Sequence, residues 1–161
     1  EVCLSHEGVQ GRLQKFFPKD GDYNIIYTGL YHVHQRVVET FHKGRVLVAG
    51  DAAHVNNPIG GLGMNGGIHD AVALGDALSQ VIEGAPEEIL GLYSRQRHKA
   101  QMDGVQATSI ANKKLMEAKD PAVRQQQLDA VRETAENPET ARAYCLNAGL
   151  FTSLDKASAV A

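Results

Sequence analysis

The chain has little cysteine, no long apolar run and no excess of positive charge, and each absence excludes a class of protein. Its two cysteines, Cys3 and Cys145, lie far apart and outside any metal-binding or redox spacing, so we expect free thiols in a reducing compartment. No apolar run approaches the roughly 18 residues that a membrane span needs, and no secretory signal opens the sequence. The net charge of −3 provides no basic field for nucleic acid. These absences favour a cytoplasmic domain with one hydrophobic core.

The two parts of the chain carry different periodicities. Residues 1–63 carry strand signals. Within them, 23–28 is rich in strand formers, 31–38 largely alternates apolar with polar, and the apolar run 45–49 is typical of a strand buried on both faces. Residues 64–161 predict helices of ordinary length, with no repeat and no low-complexity segment. The sequence therefore predicts short strands followed by a mainly helical C-terminal half.

Apolar spacing and proline positions divide the helical part. An apolar stripe over 64–82 predicts one long helix, which Gly84 ends and after which Pro86 is placed to start the next helix. The pattern of that second helix weakens near Gly104 and then resumes. Two pairs each predict an N-cap followed by proline at the first helical position: Asp120-Pro121 and Asn137-Pro138.

The segment 44–67 combines an acid at the end of an apolar run with a glycine-rich loop before a helix. Glycines let the backbone approach a ligand and adopt positive φ, and a helix start adds unpaired N–H groups and a partial positive charge. Asp51 suits a ligand with hydroxyl groups rather than a phosphate, and the Gly-Lys-Ser/Thr of a Walker loop is absent. Each feature alone is more often a turn or a packing device. Their combination in one segment predicts a cofactor site.

The run GRVLVAGDAAH, then Pro58, then GGLGMNGGIHDAVAL resembles the second flavin-binding motif of the class A flavin monooxygenases. These are the aromatic-ring hydroxylases of the para-hydroxybenzoate hydroxylase type. The sequences around YHVHQRV and around Leu92-Tyr93-x-x-x-Arg97 are also similar to that family. The resemblance covers about residues 23–100 well and the tail loosely. It implies an α/β fold, α+β within this chain, that is part of an FAD/NAD(P)-binding Rossmann-like monooxygenase fold.

The resemblance also assigns roles in a flavin site. In that family the acid of the Gly-Asp pair binds a ribityl hydroxyl of FAD, which points to Asp51, and the proline before the glycine loop lies beside the reactive edge of the isoalloxazine, which points to Pro58. The helix start lies at the pyrimidine end of the ring, where its positive end stabilises the negative charge of reduced flavin near N1 and O2. The residues that match this part are Gly61, Leu62, Gly63, Met64 and Asn65.

Two positions depart from the family pattern. Asn57 stands where many members have a first proline before Pro58, and Leu62 stands where a polar residue is common. Leu62 removes a side-chain charge or donor near the flavin, but the backbone amides remain. We therefore expect the redox tuning of the flavin, more than its binding, to differ.

The first FAD motif of the family, GxGxxG after an N-terminal strand, is absent, and so is its middle Asp-Gly motif. We therefore expect the chain to be the C-terminal part of a longer monooxygenase, with which the first residue, Glu1 rather than Met, agrees. We expect 1–43 to end the substrate-domain sheet, 44–84 to form the second FAD motif and 85–161 to form a helical region. Alone, the chain is expected to bind FAD weakly or not at all and to hydroxylate nothing.

The resemblance implies that the intact protein hydroxylates a phenolic or heterocyclic ring, with NAD(P)H as reductant and O2 as oxidant, through a C4a-hydroperoxide of FAD. Its partners would be the N-terminal part of the same protein, a small aromatic substrate and O2. The helical tail can pack on that N-terminal part or on a second subunit of a homodimer, and the sequence does not choose. Two alternatives stay open: a flavoprotein of the same fold with halogenase or geranylgeranyl-type reductase chemistry, and a non-catalytic helical interaction module.

The remaining charged residues are interpreted as structural. His32 and His34 share a strand face and could bind a metal with His54 or His42, but exposed or hydrogen-bonded strand histidines are favoured, and no metal site is predicted. His54 is taken as part of the turn and given no chemistry. Asp70 is interpreted as an acid that interacts with the helix dipole, and the basic stretch 95–99 as a solvated face.

Overall fold

The computed structural model describes residues 2–161, which form two units that meet in sequence at His32 and Val33. In the first unit, helix α1 (His6–Phe16) begins at Ser5, whose side chain accepts a hydrogen bond from the Gly8 amide at 3.1 Å. The chain that follows is held by the side-chain amide of Gln10, which makes hydrogen bonds of 2.8 and 2.9 Å with the backbone of Tyr23. This unit therefore rests on one helix and an irregular segment fastened to it.

The second unit is mainly helical, with short strands before the helices, as the sequence predicts. None of the helices described between residues 2 and 161 has the length and hydropathy to cross a membrane. The second unit contains β1 (Arg36–Val37), β2 (His42–Lys43), β3 (Val46–Leu47), β4 (His54–Val55), α2 (Leu62–Ile82), α3 (Glu88–Ala100), a π-helix (Gln101–Gln106), α4 (Ala107–Glu117), α5 (Pro121–Glu136), α6 (Pro138–Ala148) and α7 (Phe151–Ser158).

The strands form two antiparallel pairs, β1 with β4 and β2 with β3. The strand predictions for 23–28 and 31–38 are wrong outside Arg36–Val37, and the strand-rich interpretation of 1–63 also missed α1. A strand needs a hydrogen-bonded neighbour, and among residues 2–161 only β4 supplies one to this stretch. Ile26, at 92% exposed, shows that the apolar side chains there have no core to enter. The assignment of 1–43 to a substrate-domain sheet stays a prediction.

The run 45–49 is shorter and more exposed as a strand than its apolar character predicts. Only Val46–Leu47 pairs, and the Val46 side chain is 65% exposed. The prediction of a strand buried on both faces is therefore wrong within this chain. A strand in a hairpin of two residues per arm has no second layer to bury its outer face.

Phe41 stands at the centre of the core of the second unit. It is fully buried, and its ring lies 6.2 Å from the stacked His54 ring and 6.4 Å from the Tyr93 ring, centroid to centroid. The Phe41 amide donates to Ser94 Oγ at 2.8 Å, and the Tyr93 hydroxyl donates to the Val48 carbonyl at 2.8 Å. These contacts tie α3 to the strands that precede the glycine loop. Burial of one such aromatic ring contributes about 1.5–3 kcal/mol to folding.

Helix α2 confirms the long helix predicted from the apolar stripe. It ends before Gly84, whose φ of +101° is in the region that favours glycine. Pro86 does not start α3, because it lies in the turn before it, where its carbonyl accepts a hydrogen bond from the Ile89 amide at 3.2 Å. The stripe itself faces outward in this chain, with Met64 75% exposed.

The helical pattern weakens near Gly104 because α3 continues into the π-helix before α4 begins. A π-turn widens the helix and shifts the faces of the residues that follow, so a single 3.6-residue period cannot describe both sides. Gly104 is buried, and a Cβ on it would lie 2.7 Å from Ser153 Cβ in α7. The glycine therefore lets α7 approach the π-helix closely.

Both predicted proline-linked helix starts are confirmed. Asp120 accepts a hydrogen bond from the Ala122 amide at 2.8 Å and starts α5, and Asn137 accepts one from the Glu139 amide at 2.9 Å and starts α6. These starts depend on adjacent residues only, which is why the sequence predicts them well.

Candidate functional site

The acid of the Gly-Asp pair lies in a short 3₁₀ turn, Gly50–Ala52, between β3 and β4. Gly50 has a φ of +57°, a conformation that costs a residue with a Cβ about 1–2 kcal/mol. The Asp51 side chain is exposed, and among residues 2–161 nothing donates a hydrogen bond to its carboxylate. This turn thus presents a free acceptor to the outside of the chain.

The loop from β4 to α2 is built from two consecutive turns. Asn57 Oδ1 accepts a hydrogen bond from the Ile59 amide at 3.1 Å, which closes a turn around Pro58. The Gly61 amide then donates to the Pro58 carbonyl at 3.1 Å, and Gly60, at φ +104°, supplies the positive φ that this turn requires at its third position. Pro58 is exposed at the outer side of the loop.

Helix α2 starts with its amides free of side-chain caps. Gly61 is the N-cap residue at φ +65°, it has no side chain to accept a hydrogen bond, and the first turn contains no acid. Of the predicted residues, Leu62 is buried in the core, while Met64 and Asn65 are exposed. The Asn65 side chain donates to the Gly61 carbonyl at 3.1 Å rather than to a ligand position. The helix therefore offers a positive end that no group of the described chain neutralises.

A close contact between two glycines brings the acid turn and this helix start together. A Cβ on Gly67 would lie 3.3 Å from the Gly50 Cα, so only glycine lets the turn pack this tightly on α2. Gly67 lies five residues after Leu62, which is about 8 Å along a helix axis. The turn that carries the exposed Asp51 therefore packs on the helix whose first amides are free, and we refer to this turn and the helix start together as one face of the second unit.

A buried ionic cluster lies behind this face, with Asp70 at its centre. The Asp70 side chain is 0% exposed, and its Oδ2 accepts hydrogen bonds from His54 Nε2 at 2.7 Å and from the Gly50 amide at 3.0 Å. Its Oδ1 accepts hydrogen bonds from Arg97 Nε at 2.7 Å and from Gln101 Nε2 at 3.2 Å. One carboxylate therefore joins the acid turn, β4, α2, α3 and the π-helix.

This cluster corrects three sequence interpretations. Asp70 does not serve the helix dipole, because it lies in the third turn of α2 and is buried among partners. His54 is not a passive turn residue, and Arg97 is buried while its neighbours Arg95 and Lys99 reach solvent. All three residues lie in the sequences quoted for the resemblance, but it assigned no contact between them, so the pair of Asp70 and Arg97 had no signal other than an acid on a predicted helix.

The pKa values of the cluster follow from burial and the Arg97 charge. Burial alone would raise the pKa of the Asp70 carboxyl, but hydrogen bonds with His54 and Arg97 and the charge of Arg97 outweigh it and lower that pKa. Burial, and then the charge of Arg97, lower the pKa of His69. Burial, and then the Asp70 carboxylate, raise the pKa of Tyr93 to about 12. Asp70 is therefore the ionised partner that Arg97 requires.

The histidines considered as metal ligands do not form a site with other ligands. Among residues 2–161, no three His, Cys, Asp or Glu side chains lie close enough to hold a metal ion. His54 is instead engaged with Asp70 through Nε2, while its Nδ1 is buried and has no partner within the described chain.

An exposed acid turn, a glycine loop and the free N-terminus of a long helix define this chain as part of a cofactor-binding α/β domain. The family described as FAD binding domain matches residues 5–108, and the chain belongs to that family. The predictions of FAD as the cofactor and of a flavin monooxygenase relationship are thereby confirmed.

The relatives of the chain are aromatic monooxygenases. It is 40% identical over 132 residues to a para-nitrophenol 4-monooxygenase of Pseudomonas sp. (strain WBC-3), covering 77% of this chain and 33% of that protein. It is 43% identical over 101 residues to a 6-hydroxy-3-succinoylpyridine 3-monooxygenase of Pseudomonas putida, covering 60% and 26%. The crystal structure of a p-nitrophenol 4-monooxygenase from Pseudomonas putida DLL-E4 superposes with a TM-score of 0.76 at 36% identity, covering 91% and 40%. The chain thus spans between about a quarter and a third of the length of these two curated relatives.

Proposed function

We propose that this chain supplies the isoalloxazine and ribityl half of the FAD site in an FAD-dependent monooxygenase that hydroxylates an aromatic substrate. The observation that carries the proposal is the shared face of the Asp51 turn and the α2 N-terminus, held together by the Gly50–Gly67 contact. This face lies within the residues that the FAD binding domain family matches.

The chemistry of the face fits FAD. A carboxylate without an internal partner suits the hydroxyl groups of a ribityl chain, so we assign that role to Asp51. The amides of Gly63, Met64 and Asn65 and the positive end of α2 suit the edge of the flavin ring that becomes negative on reduction. Exposed Pro58 gives the loop a rigid apolar surface for the reactive edge of the ring.

FAD supplies the redox chemistry when bound: NAD(P)H reduces it, and O2 then provides one oxygen atom for an aromatic C–OH while the other leaves as water. This chain's residues bind and orient. The free amides of α2 favour the reduced, negatively charged flavin over the oxidised one, because a preorganised donor acts most strongly where charge develops. Leu62, buried below the loop, keeps a further side-chain charge out of that position.

The names of the relatives support the substrate class. Two of them act, by name, on para-nitrophenol and on a hydroxylated succinoylpyridine. We therefore propose a phenolic or hydroxylated heterocyclic ring as substrate, which favours hydroxylation over the halogenase, reductase and interaction-module alternatives. The part of the protein that would complete the FAD site and a second subunit remain proposed partners. The division of the chain into 44–84, the second FAD motif, and 85–161, a helical region, also remains a proposal.

The test uses a longer form of the protein, as long as its relatives, and compares how much FAD the Asp51→Ala and Asp76→Ala variants retain. Asp76 is an exposed acid on α2 whose side chain makes no hydrogen bond within the described chain, which makes it a matched control. Asp51→Ala loses a charge-assisted hydrogen bond to FAD and should bind FAD about tenfold more weakly. Asp76→Ala should bind FAD as tightly as the wild-type protein. Equal FAD content of the two variants after gel filtration would contradict the role of Asp51.

A further inference from the structure

We propose that Asn57 is a positioning residue for the flavin, because its side chain fixes the path of the loop from β4 to the start of α2. Asn57 is 5% exposed, and both the oxygen and the nitrogen of its side-chain amide form hydrogen bonds. Oδ1 accepts from the Ile59 amide at 3.1 Å, and Nδ2 donates to Gln35 Oε1 at 3.0 Å. The inference rests on the proposed flavin site, since it concerns how Pro58 and α2 are presented to that ligand.

The first of these bonds acts along the chain. The turn that Oδ1 closes is followed at once by the Gly61–Pro58 hydrogen bond of 3.1 Å, and Gly61 is the N-cap residue of α2. The backbone direction of Pro58 and the position of the first free amides of α2 are therefore set together. Without the bond from Ile59, the loop would depend on Pro58 alone for its stiffness.

The second bond fastens the loop to the helices behind it. Gln35 connects Asn57 to these helices, because its Nε2 donates to Ser109 Oγ at 3.2 Å and to the Gln106 carbonyl at 3.4 Å. The Gln106 side chain in turn donates to the Val55 carbonyl at 3.1 Å, just before the loop. Two points at the start of the loop, Val55 and Asn57, are thus connected to Gln106, the last residue of the π-helix, and π-turns are frequent at functional sites.

Asn57, Gln106 and Ser109 are buried, Gln35 is half-buried, and their side chains are paired, so removing one member leaves others without partners. Asn57→Ala removes both bonds. Asn57→Ser keeps a hydroxyl that accepts from the same Ile59 amide, though more weakly, and it loses the bond to Gln35. Asn137→Ala is the matched control, because it is the same substitution and also removes two hydrogen bonds of the side chain, here both with backbone amides at the start of α6.

The experiment measures the FAD dissociation constant and the visible circular dichroism of bound FAD in the protein in the length of its relatives. We expect Asn57→Ala to bind FAD about tenfold more weakly with an altered visible spectrum, and Asn57→Ser to recover about half of that loss on a logarithmic scale. Asn137→Ala should lower the melting temperature and leave both flavin readouts unchanged, since it disturbs folding alone.

The outcomes separate the inference from the function beneath it. A wild-type protein that binds FAD, with Asn57→Ala matching Asn137→Ala in both flavin readouts, overturns the positioning role alone. A wild-type protein that binds no FAD overturns the positioning role together with the proposed function. Where Asn57→Ala does not fold, Gln35→Leu replaces it: a changed visible spectrum with bound FAD supports the role, and an unchanged one overturns it.

Discussion

Asp70 holds more of the candidate site in place than any residue that reaches the surface. It binds Arg97, His54, Gln101 and the Gly50 amide at once, with no exposure to water. A buried carboxylate is costly unless all its oxygen lone pairs are used, and here they are. The position of the Asp51 turn on α2 therefore depends on a residue that would not itself contact the cofactor.

Removal of the Arg97 charge should destabilise the chain strongly. Arg97→Met leaves the ionised Asp70 with too little compensation, and breaking a buried pair in this way costs about 3–5 kcal/mol. Lys99→Met is the control, because Lys99 lies two residues after Arg97 in α3 and forms an exposed pair with Asp103 in the π-helix. Such a pair is worth less than about 0.5 kcal/mol. Urea unfolding of both variants measures the difference, and equal losses would contradict the cluster.

Tyr93 should make stability depend on pH in the alkaline range. Burial raises its pKa to about 12, so the folded chain keeps its proton where the unfolded chain loses it. The stabilisation from the neutral hydroxyl is present below pH 10 and is lost as pH rises from about 10 towards 12. In Tyr93→Phe, the free energy of unfolding should depend less on pH in this window than it does in the wild-type protein. A wild-type decline above pH 10 that persists in the variant would contradict the assignment to Tyr93.

At the scale of elements, α2 owes its free start to the conformation of the glycine before it. Gly61 has φ +65°, so Gly61→Ala should cost about 1–2 kcal/mol of folding free energy. Gly75 is the control in the same helix, because a Cβ there meets nothing within 4 Å and φ is helical. Gly75→Ala should therefore stabilise by about 0.5–1 kcal/mol. Thermal unfolding of the two variants tests this, and melting temperatures that shift in the same direction for Gly61→Ala and Gly75→Ala would contradict it.

Elements that depend on adjacent residues could be predicted from the sequence, and those that depend on distant partners could not. The α2 helix and the caps at Asp120 and Asn137 are local, and the structure confirms them. The strand expected over 23–28 depends on a neighbour that the described chain does not provide. The π-helix breaks a period that sequence analysis assumes to be constant.

The candidate site divides in the same way. The glycine loop and Asp51 form a continuous motif, so the sequence pointed to both. The pair of Asp70 and Arg97 joins two helices across 27 positions, and each residue alone has an ordinary surface interpretation. The proposed role of Asn57 had no sequence signal, because its partner Gln35 comes from before the motif and the Gln106 carbonyl that Gln35 binds comes from after it.

At the scale of the whole molecule, we propose that the described chain forms one face of a cofactor site. The family match and the relatives both concern FAD enzymes, and the chain covers 33% of one curated relative and 40% of one solved structure. The face carries a free acid and a free helix start, but the family's first glycine motif, GxGxxG after an N-terminal strand, does not occur before residue 44 of the sequence. We therefore expect FAD binding to require a further part of the protein.

The most direct test is the FAD stoichiometry of two purified proteins, the 161-residue chain and the protein in the length of its relatives, measured from the visible absorbance of bound flavin. The account predicts about one FAD per chain in the longer protein, lost on Asp51→Ala, and a colourless 161-residue chain. A longer protein that is purified folded but without FAD, and that takes up none when FAD is added, would contradict the central claim.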